Sequence, residues 1–197
     1  SDVYKRQIPM RSSISPDIEL LQDETIDDFM GGRLRLIQSR TGYRFSIDAI
    51  LLSEFVTIKT GDTVVDLGTG CGIIPLILLL TRPVGYVYGL EIQDSLARQA
   101  VRNALLNGFS GRMDVIRGDI RHPPLAPLSA DVVVCNPPYR KRDSGRINPD
   151  RQRAIARHEI LASLSDILEA ARWILRKGGR FAMIYPCLLY TSPSPRD

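Results

Sequence analysis

The chain has 197 residues, of which 44% are hydrophobic and 24% charged, and it contains 15 glycines and 13 prolines. These values are typical of globular domains, and a chain of this size buries about 70% of its unfolded surface, so disordered, collagen-like and coiled-coil classes are excluded. The longest apolar run, residues 73–80, is too short to span a bilayer. Three cysteines without a CxxC pair argue against a zinc site or a disulfide framework. We predict a soluble, cytoplasmic protein.

The net charge of +4 reflects 26 basic against 22 acidic residues, which alone does not indicate a nucleic-acid partner. The arginines are unevenly distributed, however, and a cluster of them follows residue 139: Arg140, Arg142, Arg146, Arg153 and Arg157. Taken alone, such a cluster is more typical of a solvated surface than of a binding site.

The two ends differ from the rest of the chain. Residues 1–7 show no periodicity, and residues 188–197 form a polar tail rich in proline and serine. Both resemble translated adapter sequence, so we leave both out of the fold prediction. Residues 8–187 are predicted to form a single domain, with a hairpin and a helix at about 23–57 and a cofactor-binding core at about 58–187.

The N-terminal part of this domain is predicted to contain a β-hairpin and a short helix. Polar and apolar residues alternate over 33–38 and again over 43–45, on either side of a Thr41-Gly42 turn, which favours a hairpin. Ser46 is predicted to cap a helix that continues to Phe55.

From residue 63 onward, strand and helix patterns alternate. Strands are predicted at residues 63–67, 86–90, 113–117, 131–135 and 180–185. Helices are predicted at residues 73–81, 95–107 and 155–176, the last ending at Gly178-Gly179. This alternation is typical of an α/β fold with a doubly wound, mostly parallel sheet and helices on both faces.

A glycine-rich turn follows the strand at 63–67, in the run Asp66-Leu67-Gly68-Thr69-Gly70-Cys71-Gly72. Such a turn between a strand and a helix brings backbone N–H groups against a ligand. Its G-x-G-x-G spacing differs from the dinucleotide fingerprint G-x-G-x-x-G, and Asp66 is placed to meet a cationic or amine-bearing group. The turn resembles motif I of class I S-adenosylmethionine-dependent methyltransferases. Asp66, Gly68, Gly70 and Gly72 are therefore predicted to bind the cofactor.

The ends of the next two strands supply further candidates for cofactor binding. Glu91 ends the second strand of the core, where a carboxylate can accept both hydroxyls of a ribose, and Ile92 follows it. Asp119, after the third strand, is predicted to accept a hydrogen bond from the adenine amine, with Ile120 under the ring.

The most specific motif is Asn136-Pro137-Pro138-Tyr139, which follows a hydrophobic strand. A conjugated nitrogen is a poor nucleophile because its lone pair is delocalised, so its methylation requires acceptors for both amine hydrogens. The side-chain oxygen of Asn136 and the carbonyl of Pro137 supply two acceptors on a rigid turn, and Tyr139 offers a face for stacking. Asn136, Pro137 and Tyr139 are the predicted catalytic residues, and Asn136 is also a predicted cofactor contact.

Together these motifs resemble amino-group N-methyltransferases with an N-P-P-Y motif. One such family methylates N6 of adenine 37 in tRNA-valine, and another methylates a glutamine amide in peptide release factors. Residues 32–38, 42–52 and 153–159 are similar to the tRNA family, whereas the glutamine family carries a separate helical N-terminal domain. The resemblance to the tRNA-valine (adenine-37) N6-methyltransferase family covers about residues 23–186.

The resemblance implies a Rossmann-like class I methyltransferase that uses S-adenosyl-L-methionine to methylate adenine N6 in tRNA, as a monomer without metal or membrane. It makes the arginine cluster a candidate for phosphate contact. Glutamine N5-methylation of a release factor, and an RNA-binding fragment with impaired catalysis, remain as alternatives. Because the family has seven strands, strands 6 and 7 are predicted to be missing.

Overall fold

The computed structural model describes residues 18–41, 44–137 and 162–185. In chain order the elements are β1 (Glu24–Phe29), β2 (Leu34–Ser39), α1 (Ile47–Phe55), β3 (Thr63–Leu67), α2 (Ile73–Thr81), β4 (Tyr86–Glu91), α3 (Asp94–Leu106), β5 (Met113–Arg117), β6 (Ala130–Cys135), α4 (Leu164–Ile174) and β7 (Leu175–Met183). Strands β1 and β2 form an antiparallel hairpin, and the other five form a parallel sheet in the order β5-β4-β3-β6-β7. The predicted α/β class is confirmed.

Helices cover both faces of the parallel sheet, as predicted. Neighbouring residues of one strand point to opposite faces, and β3 shows this directly because both of its central valines are buried. Val64 packs in the core formed with the hairpin, α1, α2 and α3, whereas Val65 packs in the core formed with α4. Strands buried on both faces explain the continuous apolar runs in the sequence.

The order of the strands places the candidate residues at one edge of the sheet. The chain runs outward from β3 through β4 to β5, and then returns to the other side of β3 with β6 and β7. The connection therefore reverses between β3 and β6, and all carboxyl ends of the parallel strands meet at the same edge. In open α/β sheets, ligands bind in the crevice at such a reversal.

Most predicted elements of the core agree with the structure. The strands at 63–67 and 113–117 and the helix at 73–81 have the predicted bounds. The bounds of β4 and β6 differ by one residue at one end, and those of α3 by one residue at each end. Ser46 precedes α1, as predicted, but its hydroxyl lies 3.2 Å from Oδ2 of Asp48 and makes no capping bond to the backbone. Among the described ranges, no helix is long and apolar enough to cross a membrane.

The predicted pairing of the hairpin is wrong. Strand β2 pairs with β1 rather than with residues 43–45, through a turn whose residues 30–32 have φ of 53°, 67° and 81°. Arg44 and Phe45 lie outside any strand and contact β1 through their side chains. Nη2 of Arg44 lies 2.6 Å from Oδ2 of Asp27, and the rings of Phe45 and Phe29 pack edge to face at 5.3 Å. Residues 42 and 43 lie outside the described ranges.

The predicted end of the long helix is also wrong. Helix α4 begins at Leu164, after a capping box of Ser163 and Asp166, and it ends at Ile174 rather than at Gly178-Gly179. Leu175 is extended and pairs with Ala130 of β6, so the chain leaves the helix for the sheet at this point, and the N–H groups of Leu128 and Ser129 satisfy the last two carbonyls of the helix. The two glycines instead lie within β7, where the register with β6 shifts. Residues 155–161 lie outside the described ranges.

Candidate active site

The glycine-rich turn connects β3 to α2 at the edge where the strand order reverses. Gly68, Gly70 and Gly72 have φ of 75°, 58° and 86°, a left-handed conformation that side chains other than hydrogen disfavour. The N–H groups of Gly68 and Thr69 both donate to the carbonyl of Leu90, at 2.8 and 3.0 Å. The turn is thereby fixed to the end of β4.

Gly72 also marks the point where the turn meets helix α3. A Cβ at this position would lie 3.1 Å from Cε of Met113 and 3.2 Å from Cβ of Ala100. The absence of a side chain therefore allows α3 and β5 to pack directly against the turn, in addition to permitting its positive φ.

Replacing Gly72 by alanine is expected to cost about 2–4 kcal/mol of unfolding free energy, because backbone strain and overpacking add. Gly108→Ala is the matched control, since Gly108 has a φ of 72° but a Cβ on it would meet no atom within 4 Å. The control is expected to cost about 1–2 kcal/mol from the backbone alone. Urea unfolding measures both values, and equal costs would contradict the packing argument.

Asp66 lies at the base of the turn and is only 1% exposed. Its Oδ2 accepts a hydrogen bond of 2.7 Å from the hydroxyl of Thr69, and its buried Oδ1 has no hydrogen-bond partner within the described part of the chain. Burial raises the pKa of Asp66 to about 7, against the lowering effect of the Thr69 bond, and the charge of Glu91 raises it further. A buried carboxyl with an oxygen to spare is suited to meeting a cationic group.

Gly89 makes room for Thr69, the hydrogen-bond partner of Asp66. It lies opposite Asp66 in the register of β3 and β4, and a Cβ there would be only 2.7 Å from Cγ2 of Thr69. Neither Thr69 nor Gly89 is among the site residues predicted from the sequence. An isolated glycine within a strand pattern is the available signal, since it marks a close approach of another group.

Glu91 ends β4 and connects two backbone segments of the site. Its Oε2 accepts from the N–H of Gly70 at 2.8 Å, and its Oε1 accepts from the N–H of Gln93 at 2.9 Å. The residue is 5% exposed, and burial raises the pKa of its carboxyl despite these two bonds. A carboxylate has about four acceptor positions, so each oxygen can accept one further hydrogen bond.

The other predicted cofactor contacts are Ile92, which follows β4, and Asp119 and Ile120, which follow β5. Ile92 is 40% exposed, and the side chain of Ile120 approaches the position of a Cβ on Gly68 to 4.0 Å. Both oxygens of Asp119, however, accept from Arg121, through its backbone N–H, its Nε and its Nη2. This ion pair lowers the pKa of Asp119, and an adenine amine would have to compete with the guanidinium for it.

Asn136 and Pro137 follow β6 directly beside the glycine-rich turn. The register pairs Leu67 with Cys135, so the residues after these two, Gly68 and Asn136, lie at neighbouring strand ends. Both Asn136 and Pro137 are half-buried. The remaining predicted residues of the motif and of the arginine cluster lie outside the described ranges: Pro138, Tyr139, Arg140, Arg142, Arg146, Arg153 and Arg157.

The two cysteines within the described ranges are unsuited to nucleophilic chemistry. Cys71 and Cys135 are both buried and unpaired by disulfides. Burial raises the pKa of the Cys71 thiol to about 11, and burial likewise raises that of Cys135. The thiol of Cys135 donates to the carbonyl of Leu67 at 3.2 Å, which links β6 to the end of β3.

Residues 58–195 match the family model described as a methyltransferase domain. The chain belongs to this methyltransferase-domain family. The match begins just before β3, and it includes the glycine-rich turn, Glu91 and the N-P-P-Y motif.

Curated relatives of this methyltransferase domain include proteins named tRNA1(Val) (adenine(37)-N6)-methyltransferase. The protein from Pedobacter heparinus is 33% identical over 149 residues, which are 76% of this chain and 62% of the relative. That from Porphyromonas gingivalis is 34% identical over 168 residues, 81% and 65% of the two chains. The chain thus spans a little less than two thirds of the length of these relatives.

Solved structures show the same fold. Geranyl diphosphate C-methyltransferase from Streptomyces coelicolor, solved with Mg²⁺, geranyl diphosphate and S-adenosyl-L-homocysteine, has a TM-score of 0.52 at 17% identity, over 69% of this chain and 43% of the other. The YcgJ protein from Bacillus subtilis has a TM-score of 0.52 at 17% identity, over 68% and 48%. The fold is therefore the Rossmann-like class I methyltransferase fold, as predicted.

Proposed function

We propose that this methyltransferase domain binds S-adenosyl-L-methionine and serves an enzyme that methylates N6 of adenine in tRNA, at A37 of tRNA-valine. The observation that carries the proposal is the arrangement at the reversal of the sheet. The glycine-rich turn, Glu91 and the Asn136-Pro137 pair lie at the carboxyl ends of β3, β4 and β6. The name of the curated relatives supports the choice of tRNA as substrate.

The buried acids of the site fit the cofactor. The backbone bonds to Gly70 and Gln93 orient the carboxylate of Glu91 and leave one acceptor position on each oxygen for the two ribose hydroxyls. The Oδ1 of Asp66, which has no hydrogen-bond partner among the described residues, fits a cation-bearing cofactor, and Gly68, the exposed glycine of the turn, permits close approach. Ile92 and Ile120 would pack against an adenine ring.

The Asn136-Pro137 pair fits the second substrate. When bound, the cofactor supplies an electrophilic methyl group on its sulfonium. Asn136 and Pro137 would accept hydrogen bonds from the two hydrogens of the exocyclic amine through a side-chain oxygen and a backbone carbonyl. These bonds orient the nitrogen and strengthen as its hydrogens become more acidic, so they favour the transition state over the ground state. Tyr139 would stack against the base.

The arginine cluster would contact the phosphates of the tRNA, and its positive charge would make binding depend on salt. Residues 8–187 would form one domain, acting as a monomer in the cytoplasm, and this chemistry requires no metal.

The experiment is a comparison of two substrates with methyl-labelled cofactor. We expect label to enter bulk tRNA but not a peptide release factor. Label in the release factor alone would replace the proposal with glutamine N5-methylation, which uses the same two acceptors. Binding of cofactor and of tRNA without transfer of label to either substrate would support an RNA-binding fragment instead.

A further inference from the structure

Two asparagines of α3 pair with the open edge of the hairpin. In the two-stranded sheet, β2 has one edge bonded to β1, and the N–H and C=O groups on its other edge point toward α3. Oδ1 of Asn103 accepts from the N–H of Ile37 at 2.7 Å, and its Nδ2 donates to the Ile37 carbonyl at 3.1 Å. Asn107 makes the same pair of bonds with Arg35, at 2.9 and 2.7 Å.

The spacing of the two asparagines explains why a helix can pair with a strand here. Residues four apart on a helix are separated by about 6 Å along its axis. Alternate residues of a strand, whose polar groups face the same edge, are separated by about 6.6 Å. The amides of Asn103 and Asn107 therefore match Ile37 and Arg35 in turn, and they satisfy an edge that would otherwise be unpaired.

Asn103 makes one further bond that Asn107 lacks. Its Nδ2 also donates to the carbonyl of Cys71 at 2.9 Å, within the glycine-rich turn. The side chain of Asn103 is completely buried. A single amide thus joins the hairpin to the turn, two segments that are more than thirty positions apart in sequence. The corresponding bond of Asn107 goes to the carbonyl of Asn103, in its own helix.

The attachment of the hairpin to α3 is reinforced at its other end. Arg102 and Glu24 form an ion pair of 2.8 Å, in which the Glu24 side chain is 7% exposed, and Nε2 of Gln99 lies 3.4 Å from the same carboxylate. Arg102 lowers the pKa of Glu24, although burial acts in the opposite direction. The hairpin is therefore held to α3, the helix that begins three residues after Glu91.

We infer that Asn103 is a positioning residue for the cofactor turn, and that docking of the hairpin and binding of the cofactor are thermodynamically coupled through it. The inference rests on the proposed binding of the cofactor by the turn. The Cys71 carbonyl lies between Gly70, whose N–H is held by Glu91, and Gly72, which packs on α3. Loss of its donor frees the turn to adopt other conformations, so binding has to restore the order that Asn103 provides.

The test compares Asn103→Ala with Asn107→Ala. Both variants lose the paired bonds to the β2 backbone, and both are expected to lower the melting temperature. Calorimetric titration with S-adenosyl-L-homocysteine is expected to show a Kd raised by about 5–20-fold for Asn103→Ala and by less than about 2-fold for Asn107→Ala. Equal affinities of the two variants would overturn the inference while the cofactor site stands. A wild-type chain that does not bind the probe would overturn the cofactor site and the inference together.

A measurement on the wild-type chain does not depend on the stability of the variants. Because coupling is reciprocal, the cofactor should stabilise the docked hairpin. Hydrogen exchange at the Ile37 amide, which is bonded to Asn103, is expected to slow by at least about 5-fold when S-adenosyl-L-homocysteine is added. Exchange at the Thr25 amide of β1, which is bonded to neither Asn103 nor Asn107, should slow less. Exchange at Ile37 that is unchanged by the bound probe would contradict the coupling.

Discussion

Replacing Asn136 by alanine is expected to lower the rate of methyl transfer by about 10²–10³, while the affinity for S-adenosyl-L-methionine changes little. The variant removes one of the two acceptors that the proposed mechanism provides for the amine hydrogens. These acceptors contribute most when the amine loses its conjugation, on the way to the transition state. Gly68, at the neighbouring strand end, and Glu91 on β4 are left unchanged. Single-turnover rates with saturating cofactor and tRNA measure the effect.

Asn136→Asp is the matched control for this variant. A carboxylate also accepts a hydrogen bond, so Asn136→Asp should retain more activity than Asn136→Ala, although its charge alters the placement of the base. If Asn136→Ala kept the wild-type rate, the residue would be only part of a proline-stiffened turn.

Replacing Asp66 by asparagine is expected to stabilise the cofactor-free protein at high pH. The pKa of Asp66 is about 7 in the folded protein, against an ordinary value of 3.8. Because the pKa is raised, the contribution of Asp66 to stability is complete below about pH 4 and is lost as the pH rises through 7. Asparagine does not titrate, so from pH 5 to pH 8 the variant should gain about 2–3 kcal/mol relative to wild type. Urea unfolding at the two pH values measures the change.

Asp131 provides a control of opposite sign. Its pKa is lowered, chiefly by the hydrogen bond from the Thr63 N–H and also by Arg176, so it stabilises the protein at high pH and loses that contribution in acid. Asp131→Asn should therefore destabilise the protein at pH 8. If Asp66→Asn also destabilised the protein at pH 8, burial of the Asp66 carboxylate would not lower the stability of the wild-type protein.

The same Asp66→Asn variant is expected to weaken cofactor binding by about 1–3 kcal/mol, because a charge-assisted interaction is lost. Greater stability together with weaker binding is typical of residues kept for function. Unchanged affinity would remove Asp66 from the cofactor site.

Elements whose signal is local could be predicted from the sequence. Strands β3 and β5 and helix α2 are marked by short apolar runs next to glycine or proline, and their predicted bounds are those of the structure. Strand β1 could not be predicted, because Glu24, Asp27 and Asp28 interrupt the alternation of polar and apolar residues that marks a strand. It is also stabilised by side chains of α3, more than seventy positions away. The early end of α4 likewise depends on a distant partner, Ala130 of β6, which pairs with Leu175.

The same contrast between local patterns and contacts of distant residues applies to the candidate site. The strand ends that carry Asp66, Glu91 and Asn136 could be predicted, since parallel strands bring their carboxyl ends to one edge. Hydrogen bonds that join separate elements could not be predicted, because no local pattern indicates them. Examples are the bond from the Gly70 N–H to Glu91 and the bond from Asn103 to the Cys71 carbonyl.

Identification of the labelled nucleoside in tRNA shows whether an exocyclic amine accepts the methyl group. After reaction with methyl-labelled cofactor, tRNA is digested to nucleosides, which are separated and identified by mass. We expect label in N6-methyladenosine, at a level that falls by about 10²–10³ with Asn136→Ala. Label in a nucleoside methylated on carbon, on a ring nitrogen or on the ribose would contradict it, because the two acceptors after β6 are suited to an exocyclic amine.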